Sequence, residues 1–200
     1  MRVGIEINGV LRNTLGKIEQ TYQKFYIDKT DGLEDDDSFN YEITEPINSL
    51  ELKNHFSFRD DNELYSFLYE EFPMEIFGHS QSVEYTSFND LNEVYLNNRD
   101  FHDFVIVSDE IGRSKPSSLF FLSKFGCQLE KVKFYSNLTI NSMWNEVDVL
   151  LTANPALLLE YPTDKIVIKY ETEYNKDVQC IHTIKSIKEL DDKIKELSIC

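Results

Sequence analysis

The sequence predicts an α/β fold built on a parallel sheet, and two features of the chain indicate it. Five short apolar runs, several of them rich in β-branched residues, are typical of strands that helices cover on both faces. Segments with helical periodicity separate the last four runs, and this alternation favours a doubly wound parallel sheet. The predicted strands span residues 3–7, 104–108, 132–135, 148–152 and 166–169.

The helical segments follow in chain order, and several have typical capping residues at their ends. In KPSSLFFLSKFG, Pro116 lies near the predicted start of a helix and Gly126 lies where a C-terminal cap belongs. TINSMWNE is a short amphipathic stretch, and NPALLLEY offers Asn154 as N-cap with Pro155 as the first helical residue. The tail, IKSIKELDDKIKELSI, predicts one helix with an apolar stripe of Ile184, Ile187, Leu190, Ile194 and Leu197.

A long stretch between the first two strands interrupts this alternation. It contains an acidic segment, DGLEDDDSFN, which predicts an exposed loop, and two aromatic helical candidates, NELYSFLYEEF and FNDLNEVYLNN. We therefore predict a core domain of residues 1–16 and 100–200. Residues 17–99 are predicted to form a mostly helical, cap-like insertion over the carboxyl edge of the sheet.

The chain is strongly acidic, with a formal net charge of −16 over 200 residues. Such a surface repels phosphate backbones and anionic lipid, so we expect no nucleic-acid partner and no membrane partner. The acidity is explained by solubility or by a basic or cationic partner. With 41% hydrophobic residues the chain can bury a sizeable core, and its length suits one domain with an insertion.

The cysteines predict a reducing compartment. Cys127, Cys180 and Cys200 form no C-x-x-C pair, and their odd number argues against a disulfide framework. The opening MRVGIEINGV is too short and too polar for a signal sequence, and no apolar run approaches the ~20 residues of a membrane helix. We therefore expect a cytoplasmic protein.

The motifs that commonly mark metal, nucleotide or acyl-transfer sites do not occur in the sequence. The histidines have no H-x-H or H-E-x-x-H spacing, so surface or packing roles are expected of them. The chain also has no G-x-G-x-x-G, no Walker loop and no G-x-S-x-G.

Polar residues stand at the ends of two predicted strands. Glu6 and Asn8 precede Gly9 after the first strand, and Ser108 closes the second. A hydroxyl in this position can donate to a phosphoryl oxygen, and Lys115, before the next helix, can hold a phosphate as a point charge. Taken singly, Ser108 and Lys115 are better explained as the end of a strand and the start of a helix.

Taken together, four ordered segments resemble the motifs of the haloacid dehalogenase-like (HAD) phosphatase superfamily. They are EINGVLRNT, FVIVS, SKP and VLLTANP, each at a strand end or helix start. Within that superfamily the chain is similar to the small 5′(3′)-deoxyribonucleotidase-like proteins, including those encoded by phages. The resemblance covers residues 1–15 and 100–170, and it implies a HAD-like Rossmannoid core in which the insertion corresponds to the family's cap.

The resemblance also implies roles for individual positions. The family's first motif is D-x-D-G-[TV]-L, in which the first Asp is the nucleophile and the second is the general acid and base. Glu6 and Asn8 occupy these two positions here. Ser108 and Lys115 match the residues that bind the phosphoryl group. The acidic positions of the fourth motif, which hold Mg²⁺ with the first motif, are occupied by Thr152 and Ala153.

Each departure from the family pattern removes a chemical function. Glu6 is one methylene longer than the nucleophilic Asp, and a misplacement of ~1 Å can cost about a hundredfold in rate. Asn8 cannot exchange a proton near neutral pH, and general acid–base help is typically worth ~10²–10⁴. Thr152 and Ala153 offer no carboxylate to a metal that usually needs one or two, which leaves Glu6 with Asp109, or its neighbour Glu110, as weak substitutes. We expect no catalytic residue and no metal, and we interpret EIN as the remains of an acid pair.

These positions lead to three hypotheses about function. The first is a catalytically inactive pseudophosphatase that acts as a protein-interaction or structural component of a phage assembly. Such a component would be located in the host cytoplasm or in the virion. The second is a weak or metal-altered phosphatase or deoxynucleotidase that uses Glu6 and Mg²⁺. The third is a module that holds a phosphorylated small molecule through Ser108 and Lys115 without turning it over.

Overall fold

The computed structural model describes residues 1–28 and 39–198. All but the last two residues of the acidic segment DGLEDDDSFN lie outside the described residues, as does Cys200. Within the described parts of the chain, no helix is both long enough and apolar enough to cross a membrane.

The chain forms an α/β fold of the Rossmann-like type, as the sequence predicts. All strand pairs are parallel, and the sheet order is β3-β2-β1-β4-β5-β6. The order reverses direction at β1, and in open α/β sheets the crevice for ligands lies beyond the carboxyl ends of the strands at this point. The strands are β1 (Arg2–Glu6), β2 (Asp103–Ser108), β3 (Val132–Phe134), β4 (Val149–Thr152), β5 (Ile166–Tyr170) and β6 (His182–Ile184).

The bounds of the five predicted strands differ from the observed ones by no more than one residue at each end. Gly4 explains how β1 fits at the centre of the sheet, between Val105 of β2 and Leu150 of β4. A Cβ atom at Gly4 would lie 2.6 Å from a methyl group of Val147, so a larger residue would push the neighbouring chain away.

In residues 1–28 and 39–198, seven α-helices connect or flank the strands. The predicted caps are confirmed at Asn154, which accepts from the Ala156 amide, and at Pro155 in the first turn. Gly126 has φ 68° after the helix of KPSSLFFLSKFG. The helices are α1 (Thr14–Tyr22), α2 (Asp61–Ser66), α3 (Ser87–Asn98), α4 (Ser114–Lys124), α5 (Ile140–Trp144), α6 (Pro155–Leu159) and α7 (Leu190–Ser198).

The carboxyl-terminal tail differs from the prediction of one continuous helix. Ile184 lies in β6, a sixth strand that pairs with β5 and that the sequence did not reveal. Ser186 is extended, with φ −143°, and its side chain accepts from the Lys188 amide while Glu189 accepts from the Ser186 amide. This capping box starts a 3-10 turn at Ile187–Glu189 that leads into α7.

The two faces of the sheet bury separate hydrophobic clusters, because successive strand residues point to opposite faces. On one face, strand residues such as Ile5 and Ile106 pack with Leu91 of α3 and Phe121 of α4. On the other face, Val105, Val107, Leu150 and Val167 pack with the short helices, through Met143, Trp144, Leu157 and Leu158.

The chain between β1 and α3 is mostly helical where it is described, and it has a hydrophobic cluster of its own. Its described part includes π-helical segments at Gln23–Ile27, Phe67–Glu71 and Met74–Gly78. Its cluster, here called the insertion cluster, has as its buried members Ile18, Tyr22, Phe56, Phe67, Leu68, Ile76 and Phe77. The division of the chain into domains at residues 16 and 99 stays a prediction.

Candidate functional site

A pocket of about 560 Å³ lies between the insertion and the carboxyl end of β1. Its floor includes four polar side chains from strand ends and the turns after them: Glu6, Asn8, Asp109 and Glu110. Side chains of the insertion, such as Leu68, Tyr69 and Phe77, line the same pocket. The structure therefore brings Glu6, Asn8 and Asp109 together at the sheet edge where a doubly wound fold places its ligands.

The turn after β1 positions the floor. Gly9 has φ 74°, a backbone conformation that glycine adopts without strain. A Cβ atom there would lie 1.9 Å from the Tyr174 hydroxyl and 3.0 Å from the Ala153 Cβ atom. Backbone bonds from the Leu11 and Arg12 amides to the Ile7 carbonyl, at 3.0 and 2.9 Å, close the turn. Only a glycine at position 9 permits this tight turn, which directs Asn8 and Arg12 to the same side.

Glu6 is buried, and both of its carboxyl oxygens have protein partners. The Tyr135 hydroxyl donates to Oε1 at 2.9 Å, and the Thr152 hydroxyl donates to Oε2. Burial raises the pKa of Glu6 to about 8, and the negative charge of Asp109 adds to the effect, while the hydroxyl donors work against it. At neutral pH the Glu6 carboxyl group is therefore mostly uncharged.

The Asn8 side chain lies between a hydrogen-bond acceptor on one side and two donors on the other. Its Nδ2 donates to Asp109 Oδ1 at 2.7 Å, and its Oδ1 accepts from the Arg12 guanidinium and the Thr14 hydroxyl, both at 2.6 Å. Because an arginine only donates and a carboxylate only accepts, these partners fix the orientation of the amide. An Asp at this position would face Asp109 with a second negative charge.

Arg12 is fully buried behind Asn8, and the sequence reasoning did not identify it. Its guanidinium pairs with Glu110 and donates to the Phe77 carbonyl at 2.9 Å and to the Ser118 hydroxyl. The ring centroid of Phe77 lies 5.0 Å from its central carbon. The available signal was a single charged residue in NGVLRNT, directly after a buried strand, since such a charge needs a partner elsewhere in the chain.

Glu110 is the buried partner of Arg12. Its Oε1 accepts from the guanidinium and from the Ser108 hydroxyl, the latter at 3.1 Å. Burial raises the pKa of Glu110, and the positive charge of Arg12 opposes that rise. The ion pair thus joins the turn after β1 to the loop after β2.

The remaining predicted residues take other positions. Ser108 is buried, and its hydroxyl is directed at Glu110. Lys115 is exposed, with its ammonium 5.9 Å from the ring centroid of Phe134, and it does not line the pocket among the described residues. The structure therefore does not bring Ser108 and Lys115 together at the pocket, and their phosphate-binding role stays a prediction.

The side chains near Glu6 do not fit the Mg²⁺ ligand set that the resemblance implies. Thr152 uses its hydroxyl as a donor to Glu6, and Ala153 is buried and offers only its carbonyl, which accepts from Asn175 at 2.8 Å. Asp109 Oδ1 accepts from Asn8 and Glu110 Oε1 accepts from Arg12, so these two oxygens are engaged within the protein. In residues 1–28 and 39–198, no group of three His, Cys, Asp or Glu is placed to hold a metal ion.

The arrangement is poorly suited to phosphoryl transfer. A carboxyl group that is mostly protonated and whose two oxygens both have protein partners is a weak nucleophile, and an amide held by Arg12 and Asp109 cannot move a proton. Among the described residues that line the pocket there is no Lys, Arg or His to hold a phosphoryl anion. Electrostatic stabilisation supplies most of the catalysis in phosphoryl transfer, and this pocket provides the opposite sign.

No protein-family model matches this chain, and neither does any curated protein. The similarity to HAD phosphatases thus stays an expectation from the sequence motifs, and the site is interpreted from its own geometry.

Proposed function

We propose that this chain is a catalytically inactive relative of the HAD phosphatases that acts by binding, as a protein-interaction or structural component. The observation that supports this most directly is the state of Glu6. Its carboxyl group accepts hydrogen bonds from Tyr135 and Thr152, and burial raises its pKa to about 8. The position of the family's nucleophile is thereby occupied by a group that is integrated into the core.

The neighbouring positions support the same proposal. Asn8 links Asp109 to Arg12, so the position of the proton-transfer residue has a structural role in an ion network. Thr152, at a metal-ligand position of the family, is a hydrogen-bond donor to Glu6. Glu6, Asn8 and Thr152, which all depart from the catalytic pattern, therefore make hydrogen bonds within the protein. This is expected of a site whose role is structural.

The biological setting rests on the resemblance and the charge. A phage-type relative would act in the host cytoplasm or in the virion, as part of a larger assembly. The formal net charge of −16 makes a basic surface on a partner protein the natural complement.

The enzyme hypothesis keeps one observation in its favour. Asp109 is exposed at the same pocket as Glu6, so a second carboxylate is within the site. A weak phosphatase would need Glu6 to ionise and Asp109 to leave Asn8 in order to serve as a ligand of Mg²⁺.

A phosphatase assay separates the two hypotheses. Phosphate release from p-nitrophenyl phosphate and nucleoside monophosphates is measured with Mg²⁺ and with Mn²⁺, for the wild type and for Glu6→Gln. We expect no release above buffer for either protein, because Gln keeps the size of the side chain and one acceptor oxygen but removes the nucleophile. Metal-dependent turnover in the wild type that disappears in Glu6→Gln would show that the site is catalytic.

A further inference from the structure

We propose that the pocket binds a small organic cation, an ammonium or guanidinium group on an apolar body, with its charge at Asp109 and Glu110 and its body against the insertion. The inference rests on the proposed function in one respect, since a site that turned over phosphate would have to attract anions. It adds the chemical class of the ligand, which the proposed function leaves open.

The charge of the pocket has one sign. Five of its described lining residues are acidic, and none of the described lining residues is Lys, Arg or His. Arg12 lies behind the floor, and it compensates Glu110. Lys176 pairs with Glu173 at 3.1 Å, and Glu6 is mostly uncharged at neutral pH. Among the described residues, the charge that no nearby cation compensates therefore lies on Asp109 and Glu19. A cleft lined by acidic groups with apolar walls concentrates cations. The five acids are Glu6, Glu19, Asp109, Glu110 and Glu173.

One buried oxygen on the floor is left without a donor. Glu110 is 1% exposed, and within the described residues its Oε2 has no hydrogen-bond partner. The Ser118 hydroxyl is near enough to help lower the pKa of Glu110, but it makes no bond of good geometry with Oε2. A buried carboxylate oxygen without a donor is costly, and its residue faces the pocket. A ligand that donates N–H groups would satisfy it.

The same carboxylate already shows how this site holds a cation. Arg12 is buried against Glu110 Oε1 and over the rings of Phe77 and Phe121, at 5.0 and 5.3 Å. On the pocket side, Tyr69 lines the wall with Phe77, and the two rings are stacked at 6.0 Å. Tyr69 lines the same pocket as Asp109 and Glu110; burial raises its pKa, and the negative charges of the two acids add to that rise. Aromatic faces next to carboxylates suit organic cations.

The walls and the volume indicate a ligand with an apolar body. About 560 Å³ is within the range of small-molecule sites and exceeds the need of a bare metal ion or a single inorganic ion. The apolar lining residues can cover a hydrocarbon chain or ring while the charge reaches the floor. They are Leu15, Ile18, Ile47, Leu50, Leu52, Leu68, Phe77 and Val83.

Matched probes of equal shape test the inference. Binding to the full chain is measured by calorimetry and by thermal shift with hexylamine, 1-hexanol and hexanoate, since a ligand selective for the native state raises its melting temperature. We expect hexylamine to bind and raise the melting temperature, and the alcohol and the acid to do neither. Binding of hexanol as tight as that of hexylamine, or binding of hexanoate, would overturn the inference.

Charge-removing variants locate the site. Asp109→Asn keeps an acceptor for Asn8. We expect this variant to bind hexylamine about tenfold more weakly, which is the usual effect of losing a hydrogen bond to a charged group. Glu93→Gln on the exposed side of α3 removes the same charge away from the pocket and is expected to leave binding unchanged. Equal weakening in both variants would mean that the amine binds only the general acidic surface. Glu110→Gln is a second variant at the floor of the pocket. If Glu110→Gln does not fold, Asp109→Asn still tests the inference.

A further arm identifies the source of the cation. Nα-acetyl-lysine amide carries the same ammonium on a peptide unit, and a pocket for a free amine is expected to bind it more weakly than hexylamine. Tighter binding of the lysine amide would overturn the assignment to a free small molecule. Failure of all amines, with no phosphatase activity, would remove this inference and leave the proposed function intact, whereas metal-dependent turnover would remove both.

Discussion

The carboxyl edge of the sheet and the insertion that faces it are stabilised in different ways. At the edge, the buried Arg12 and Glu110 depend on each other, and Glu6 depends on Tyr135 and Thr152. In the insertion cluster, the Tyr22 ring contacts Phe56, Phe58 and Phe67 with centroids 5.1–5.9 Å apart.

The difference shows what each region tolerates. A directional polar network loses most when one partner is removed, because the other is left buried and unsatisfied. An aromatic cluster loses roughly in proportion to the apolar area and volume that are removed, and neighbouring rings can shift to compensate in part. The two regions are therefore expected to respond differently to substitution.

Removal of the Arg12 charge is expected to have the largest effect. Arg12→Met leaves Glu110 ionisable and buried without a cationic partner, and we expect a loss of ~3–5 kcal/mol in the free energy of unfolding. The double variant Arg12→Met/Glu110→Met is expected to recover most of that loss, as urea denaturation would show. Lys17→Met, which removes the partly exposed pair with Glu75, is the control, and less than ~1 kcal/mol is expected. A single-variant loss no larger than that of the control would contradict the role of the pair.

Truncation of a central ring tests the insertion cluster. Phe67 is fully buried, and we expect Phe67→Ala to lower the free energy of unfolding by ~3 kcal/mol, at the lower end for such changes because adjacent rings can shift. Phe101→Ala, at a side chain that is 78% exposed, is the control and is expected to change it by less than ~0.5 kcal/mol. Equal effects of the two would mean that the cluster is not a packed unit.

Titration of Glu6 is expected to make the edge sensitive to pH. The native state raises the pKa of Glu6 from its ordinary 4.5 to about 8, so between these values it retains a proton that the unfolded chain has lost. This contribution to stability is complete below about pH 4.5, and it declines as the pH rises through about 8. Gln at position 6 does not titrate. As the pH rises between these two pKa values, the free energy of unfolding of Glu6→Gln should therefore increase relative to that of the wild type by ~1–3 kcal/mol, as denaturation experiments would measure. A difference that is constant with pH would contradict the shifted pKa.

Loss of one hydrogen bond to Glu6 is expected to have the smallest effect. Tyr135→Phe removes the hydroxyl that donates to Oε1, and we expect a loss of ~1 kcal/mol at neutral pH that grows at higher pH, as Glu6 ionises. Tyr85→Phe, at a side chain that is 97% exposed, should leave stability unchanged. A Tyr135→Phe protein as stable as the wild type at every pH would show that this bond contributes nothing.

Local signals in the sequence were sufficient for most of the sheet and for several helix ends. The apolar runs located five strands, and Asn154, Pro155 and Gly126 marked helix ends correctly, because each signal depends on residues within a few positions of one another. The prediction of one helix for the carboxyl-terminal tail was wrong for a related reason. The stripe from Ile184 to Leu197 has helical spacing, but the pairing of Ile184 with Tyr170 and the capping box at Ser186 outweighed that spacing.

The amino-acid order is sufficient to predict the α/β class, the positions of Glu6 and Asn8 at a strand end, and the overall acidity. The contacts of those side chains depend instead on how the chain packs in three dimensions. Glu6 meets Tyr135 across 129 positions of the chain and Thr152 across 146, and Arg12 meets Glu110 across 98. Periodicity and capping are local and visible in a short window, whereas the burial, pKa and partners of these groups depend on distant segments that meet only when the sheet and the insertion pack together.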